Sequence, residues 1–249
     1  MIRHIPNLLT LSNLFCGCLG VYTCATGDYK AVPFFIALSL TADFFDGLSA
    51  RALKIKSELG LQLDSLADMV SFGVLPGTMI VQLIGMSNMP GSGSFSLNPI
   101  SFLGYIFTLF ACLRLAKFNL DTRQTSSFRG LATPAATVFI LGIYLHFFNQ
   151  GFNGLPTFSH SLLYQTSTIL LMTAGLCALM VSEIKMFSFK VNIFKWKENS
   201  FKIIFLIFSI ILLAIFKEIG LSYVIVFYII SSIFEDSFSK LKDSRKSIG

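Results

Sequence analysis

The chain has 249 residues, of which 54% are hydrophobic and only 13% charged, with a mean hydropathy of +0.72 and a formal net charge of +6. Soluble domains carry about 25% charged residues, so this composition excludes one and points to an integral membrane protein. The basic excess is no nucleic-acid footprint, because basic and aromatic residues do not alternate on a polar module.

Apolar stretches recur along the whole chain. The first, 8–24, opens through PNLLTLSN. Asn7, Thr10, Ser12 and Asn13 interrupt it and no small-residue cleavage site follows, so it reads as a retained helix rather than a signal peptide. Further stretches lie at 32–50, 61–86, 100–115, 131–148 and 162–181. The last two, 201–216 and 219–234, are separated only by Lys217 and Glu218, which allows two spans or one re-entrant hairpin. Each stretch approaches the ~20 residues of a spanning helix. The fold class expected is therefore all-α, a polytopic membrane bundle of about eight transmembrane helices. Residues 201–230, rich in Ile and Phe, read as lipid-facing support.

Under this arrangement 17 of the 19 Lys and Arg residues fall on one side, with Lys30 and Lys217 opposite. The segments 87–98 and 149–160, on the opposite side, contain no charged residue. Basic loops face the cytoplasm, so both termini are expected there, and the positive surface suits anionic headgroups. An inner or plasma membrane location follows. The five cysteines lie in or at the ends of apolar stretches and read as small apolar residues. His4, His146 and His160 are assigned no role. No phosphate-binding glycine loop and no internal repeat is present.

The stretch DFFDGLSARALKIKSELGLQLDSLAD, 43–68, breaks the pattern with four aspartates. Asp43, Asp46, Gly47 and Ala50 share one helical face, and Gly60, Asp64, Asp68 and Ser71 share another. The basic turn between them places both carboxylate pairs a few helical turns below the cytoplasmic surface. A central Asp costs roughly 2.5–3.5 kcal/mol on insertion scales, so the charges need neutralising. A helix-gluing ion-pair network is one answer, but Arg51, Lys54 and Lys56 are the only cations nearby and the lysines can snorkel to water. A set of hard oxygen ligands suits Mg²⁺ or Mn²⁺ instead, and four carboxylates can hold two such ions around a phosphoryl group. Gly47, Ala50 and Gly60 leave space where a ligand could lie against backbone.

The spacing Asp43-x2-Asp46-Gly47-x2-Ala50-Arg51-x8-Gly60-x3-Asp64-x3-Asp68 resembles the signature of the CDP-alcohol phosphotransferase family, with every fixed position filled. The resemblance implies that Asp43, Asp46 and Asp64 are metal ligands. It makes Asp68 the general base, touching a second metal as well. Gly47, Ala50, Arg51 and Gly60 would border the CDP moiety, joined by Asn7 and Thr10 from the first helix. RLAKFNLDTRQTSSFRGLATPAAT, 114–137, further resembles the integral-membrane phosphatidylserine synthases within that family, with Ala132 standing where they usually have proline. CDP-diacylglycerol and L-serine are the substrates this implies, and a homodimer the assembly. Arg114, Asn119 and Arg129 are the candidates for holding the serine carboxylate, with Lys117 equally readable as a membrane anchor. The resemblance covers 1–181 as a catalytic membrane domain and leaves 182–249 as a basic loop, two further helices and a tail. Another acceptor, such as glycerol 3-phosphate or inositol phosphate, is the alternative within the family. Outside it stand an intramembrane prenyltransferase, whose aspartate motifs would lie far apart in sequence, and a cation transporter, whose charges would lie near the midplane.

Overall fold

The computed structural model describes residues 4–54, 57–87, 98–120, 128–151, 163–186 and 196–246, giving backbone alone for 128, 150, 151, 196–204 and 235–246. Most of the uncharged segments 87–98 and 149–160 and of the basic loop after Met186 lie outside the described residues. Helix α1 (Ile5–Ala25) and helix α2 (Val32–Ala52) pack as an antiparallel pair. Each carries a proline in its first turn, where the missing N–H has no helical partner to lose. Beyond α2, Lys54 takes a left-handed φ of 54°. Helix α3 (Glu58–Met69) then starts on Ser57, whose Oγ accepts the Gly60 N–H at 2.9 Å, with Glu58 beside the positive end of the helix dipole.

The expected span 61–86 is helical over 58–87 but not uniformly so. After α3 comes a π-helical turn, Val70–Val74, in which the Leu75 N–H reaches back five residues to the Val70 carbonyl; α4 (Leu75–Ser87) follows. Pro76 has no N–H to offer the Phe72 carbonyl, so that oxygen must be satisfied from elsewhere. Thr137 Oγ1 donates to it at 3.3 Å, and Thr108 Oγ1 donates to the neighbouring Gly73 carbonyl at 2.9 Å.

A 3₁₀ segment, Pro99–Tyr105, leads into α5 (Ile106–Leu120). Strand β1 (Phe128–Arg129), helices α6 (Thr133–Gly151) and α7 (Thr166–Val181), strand β2 (Lys185–Met186) and helix α8 (Trp196–Lys246) complete the chain. The two strands form a two-residue antiparallel ribbon, the one departure from all-α among the described residues. Helix α8 folds back on itself at Lys217 (φ 51°, ψ −124°), within the Lys217–Glu218 pair that the sequence singles out. Its arms are antiparallel: Phe205 and Phe227 stack with ring centroids 5.2 Å apart. The hairpin docks on α6, where Gly142 has no side chain to hold Ser222 away and Ser222 Oγ donates to the Phe139 carbonyl at 2.7 Å.

Among the described residues five helical segments, 5–25, 32–52, 58–87, 99–120 and 205–234, are long and apolar enough to cross a bilayer, and the fifth takes in the expected span 219–234 and most of 201–216. Helical residues 133–149 and 166–181 are apolar but shorter. Helix α4 runs through the centre, buried without interruption from Leu75 to Gly85. On it Gln82 accepts from the Tyr144 hydroxyl at 2.7 Å and donates to the Cys24 carbonyl, tying α1, α4 and α6. Phe15, Phe34, Phe44, Leu206 and Ile210 face outward, a surface that acyl chains solvate and water would not. The protein is a membrane protein.

Close packing near the ribbon depends on Gly130. Its φ is +71°, its N–H donates to the Ile184 carbonyl at 2.9 Å, and a Cβ there would lie 2.5 Å from the Met180 carbonyl oxygen and 3.0 Å from that of Ser182. Gly130→Ala should therefore cost about 1–3 kcal/mol, read as a lower midpoint of thermal unfolding in detergent. An unchanged midpoint would mean that the ribbon does not clamp α6 to α7.

Candidate active site

Asp43 and Asp46 stand three residues apart on α2, and Asp64 and Asp68 four apart on α3. Helices α2 and α3 both pack on α1, and their aspartate-bearing faces meet over its first half. One carboxylate oxygen from each of Asp43, Asp64 and Asp68 lies within 4.8 Å of the others. Asp46 takes a different partner, its Oδ2 accepting from Thr10 Oγ1 at 2.6 Å, while staying in electrostatic range of Asp43 and Asp64. Three of the four expected ligands thus converge, and the fourth turns toward α1.

This donor set fits a small divalent cation. Oxygens on opposite sides of an octahedral Mg²⁺ are about 4.2 Å apart, so small rotations close the observed spread. The set is all carboxylate, with no sulfur or imidazole, which suits Mg²⁺ or Mn²⁺ rather than softer metals.

Helix α1 supplies polar atoms at helical spacing. Thr10 also bonds the Pro6 carbonyl, at 3.0 Å. Asn13, 0% exposed, donates from Nδ2 to Asp68 Oδ1 at 3.1 Å. Asn7 is half-buried and its Oδ1 would lie 3.4 Å from a Cβ on Gly60. Ser57 Oγ would lie closer still, at 2.8 Å, so the cap of α3 alone accounts for that glycine. Gly47 differs: nothing stands within 4 Å of where its Cβ would be, and Ala50 beside it is half-buried. That leaves free volume along α2 next to the carboxylates. Arg51 sits exposed at the end of this face with Nε on the Gly47 carbonyl at 2.9 Å.

Helix α5 brings the basic residue. Arg114 is only 8% exposed, its Nε has no hydrogen-bond partner, and it lies in electrostatic reach of Asp68 and of Tyr228 on the C-terminal hairpin. Asn119 Nδ2 donates to Ser65 Oγ at 2.8 Å, fastening the end of α5 to α3, and its buried Oδ1 has no partner. Lys117 is exposed. Arg129 lies on β1 instead, where its Nη1 donates to Glu183 Oε2 at 2.6 Å.

Sequence reasoning passed over Asn13, treating it only as a polar break in the first helix. Its signal was available: Asn7, Thr10 and Asn13 recur every three residues and share a face. What the sequence could not supply was the crossing of α1 over Asp68.

Residues 3–180 match the family model described as CDP-alcohol phosphatidyltransferase. The CDP-diacylglycerol--serine O-phosphatidyltransferase of Bacillus subtilis is 31% identical over 189 residues, 76% of this chain and 93% of that protein. The protein of the same name in Helicobacter pylori strain J99 is 31% identical over 138 residues, 55% of each chain. An archaetidylserine synthase of Methanothermobacter thermautotrophicus is 32% identical over 145 residues, 57% of this chain and 58% of that one. The chain thus spans nearly all of the Bacillus relative and little more than half of the other two. With the family match running over every helix that carries a converging aspartate, the protein belongs to the CDP-alcohol phosphatidyltransferase family.

Proposed function

We propose that the protein transfers the phosphatidyl group of CDP-diacylglycerol to the hydroxyl of L-serine, releasing CMP. The observation that carries this reading is the convergence of Asp43, Asp64 and Asp68 oxygens within 4.8 Å on apolar helices, beside the free volume at Gly47. Membership in the family supports the reaction class, and the names of the curated relatives support serine as acceptor.

In this reading the acyl chains of CDP-diacylglycerol lie in the bilayer and the nucleotide lies along the Gly47–Ala50 face, bordered by Asn7, Thr10, Arg51 and Gly60. Asp43, Asp64 and Asp68, with Asp46 in the second position of the motif, hold Mg²⁺ or Mn²⁺, as two ions. When bound, these stabilise negative charge on the transferring phosphoryl group. Asp68 takes the proton of the serine hydroxyl while that oxygen forms a bond to the lipid-linked phosphorus. The phosphorus–oxygen bond to CMP breaks, and CMP departs with the bridging oxygen. The chain's own contribution is largely placement and electrostatics.

Arg114 is the favoured reader of the serine carboxylate, because its Nε is buried without a partner and the residue lies within electrostatic reach of Asp68. Asn119 assists from the same helix. Arg129 would have to leave Glu183 to take part. Both termini and the site face the cytoplasm in this proposal, in the inner or plasma membrane and with eight crossings, supported by the 17 basic residues on one side. A homodimer rests on the family resemblance alone.

Three outcomes are expected of the purified enzyme. EDTA should abolish CMP release from CDP-diacylglycerol and Mg²⁺ or Mn²⁺ should restore it; full turnover after thorough demetallation would sink the metal site. Asp68→Asn should retain CDP-diacylglycerol binding yet lose ~10²- to 10⁴-fold in turnover, whereas Asp43→Asn should weaken metal and lipid-nucleotide binding together. If both variants fail in the same way, their separate roles are wrong.

The third concerns acceptor recognition. Arg114→Gln should raise the serine requirement about 10- to 100-fold with little change for CDP-diacylglycerol, and Arg129→Gln should do so far less. Incorporation of labelled serine, ethanolamine, glycerol 3-phosphate and inositol phosphate into chloroform-soluble lipid checks the acceptor. Efficient use of a phosphorylated alcohol with little serine would overturn serine and leave the family chemistry standing.

A further inference from the structure

Asn13 occupies an unusual place. Its backbone carbonyl accepts two hydroxyls from two other elements: Ser39 Oγ of α2 at 3.2 Å and Ser71 Oγ of the π-helical turn at 3.1 Å. Ser71 reaches that carbonyl only because residue 17, one turn further along α1, is glycine; a Cβ there would overlap the Ser71 hydroxyl and lie 3.0 Å from its Cα. The α-carbon of residue 13 is thus fixed against both aspartate-bearing segments by bonds that involve none of its own side-chain atoms. From that fixed point the side-chain amide reaches Asp68 Oδ1 at 3.1 Å. Reversing the amide would set oxygen against oxygen, so the carboxylate dictates that Nδ2 faces it.

We propose that Asn13 is a positioning residue for Asp68: its amide pins one carboxylate oxygen, fixing the side-chain rotation and leaving the second oxygen to receive the proton of the acceptor hydroxyl. The proposal rests on the reading of Asp68 as general base. It differs from a packing role, because the helix contacts at this crossing run through the Asn13 backbone and survive truncation of its side chain. The π-helical turn belongs to the same device. Ser71, three residues beyond Asp68 and on the same helical face, lies within that turn, so the segment that carries the base also carries the hydroxyl that braces the residue pinning it.

The test uses the full-length enzyme in detergent with CDP-diacylglycerol and serine. Asn13→Ala should lower kcat about 10- to 100-fold, while KM for each substrate stays within about twofold. Mn²⁺ binding by equilibrium dialysis and the thermal unfolding midpoint should stay near those of the parent. Asn13→Asp keeps the shape, removes the donor and adds a like charge, so it should lose at least as much kcat; it also serves if the alanine variant does not fold. A kcat within about threefold of the parent in both variants would overturn the proposal, as would a joint fall of kcat, metal binding and unfolding midpoint. Asp68→Asn is measured beside them: if it retains turnover the base reading itself fails, whereas an inactive Asp68→Asn beside fully active Asn13 variants removes only the role of Asn13.

Discussion

Everything in this protein is arranged around carboxylates that an apolar bundle would not otherwise keep together. Like charges a few ångströms apart repel strongly where the dielectric is low, and two helices carrying them would separate unless other forces held them. Here the restraint comes from α1. It packs along α2 and across α3, and it presents the threonine and asparagine that bond Asp46 and Asp68. Few side-chain volumes stand in its way at that crossing, and Gly17 is the position where closeness matters most. The first helix is therefore part of the candidate site, because its side chains hold two of the four aspartates.

Much of this could be read from the sequence. Spacings of three and four residues put paired aspartates on single helical faces, and the structure brings those faces together. The break at Lys217 is legible because a charged pair interrupts an otherwise unbroken apolar run. Other features were hidden for physical reasons. The π-helical turn after Asp68 requires donors for the Phe72 and Gly73 carbonyls, and those arrive from Thr137 and Thr108, 65 and 35 residues away. No local pattern announces such long-range satisfaction. Likewise nothing near Arg129 in sequence says that it pairs with Glu183, because the β1–β2 ribbon that joins them closes only after two intervening helices.

The aspartates also divide by surroundings in a way their motif does not foretell. Asp46 and Asp68 each accept a hydrogen bond from α1, from a hydroxyl and an amide respectively. Among the described residues, Asp43 and Asp64 meet no hydrogen-bond donor on α1, and both lie partly exposed beside the open volume at Gly47. Chemically equal residues thereby acquire different freedom: two are held from behind, and two can adjust to whatever occupies the space between the helices. Such a division lets part of a charged cluster stay fixed while the rest adapts.

The C-terminal hairpin has a consequence for how the family can vary. Its two arms run antiparallel, so the chain comes back to the side from which it entered, whether the hairpin passes through the bilayer twice or only dips into it. Parity is preserved either way. A hairpin of this kind can be appended to a catalytic unit, or removed from it, without inverting any helix that precedes it. The Bacillus relative aligns over nearly all of its length with about three quarters of this chain. Here the appendage lies against α6 through Ser222 and sets Tyr228 in electrostatic reach of Arg114, so an element topologically free to come and go bears on a residue beside the aspartates.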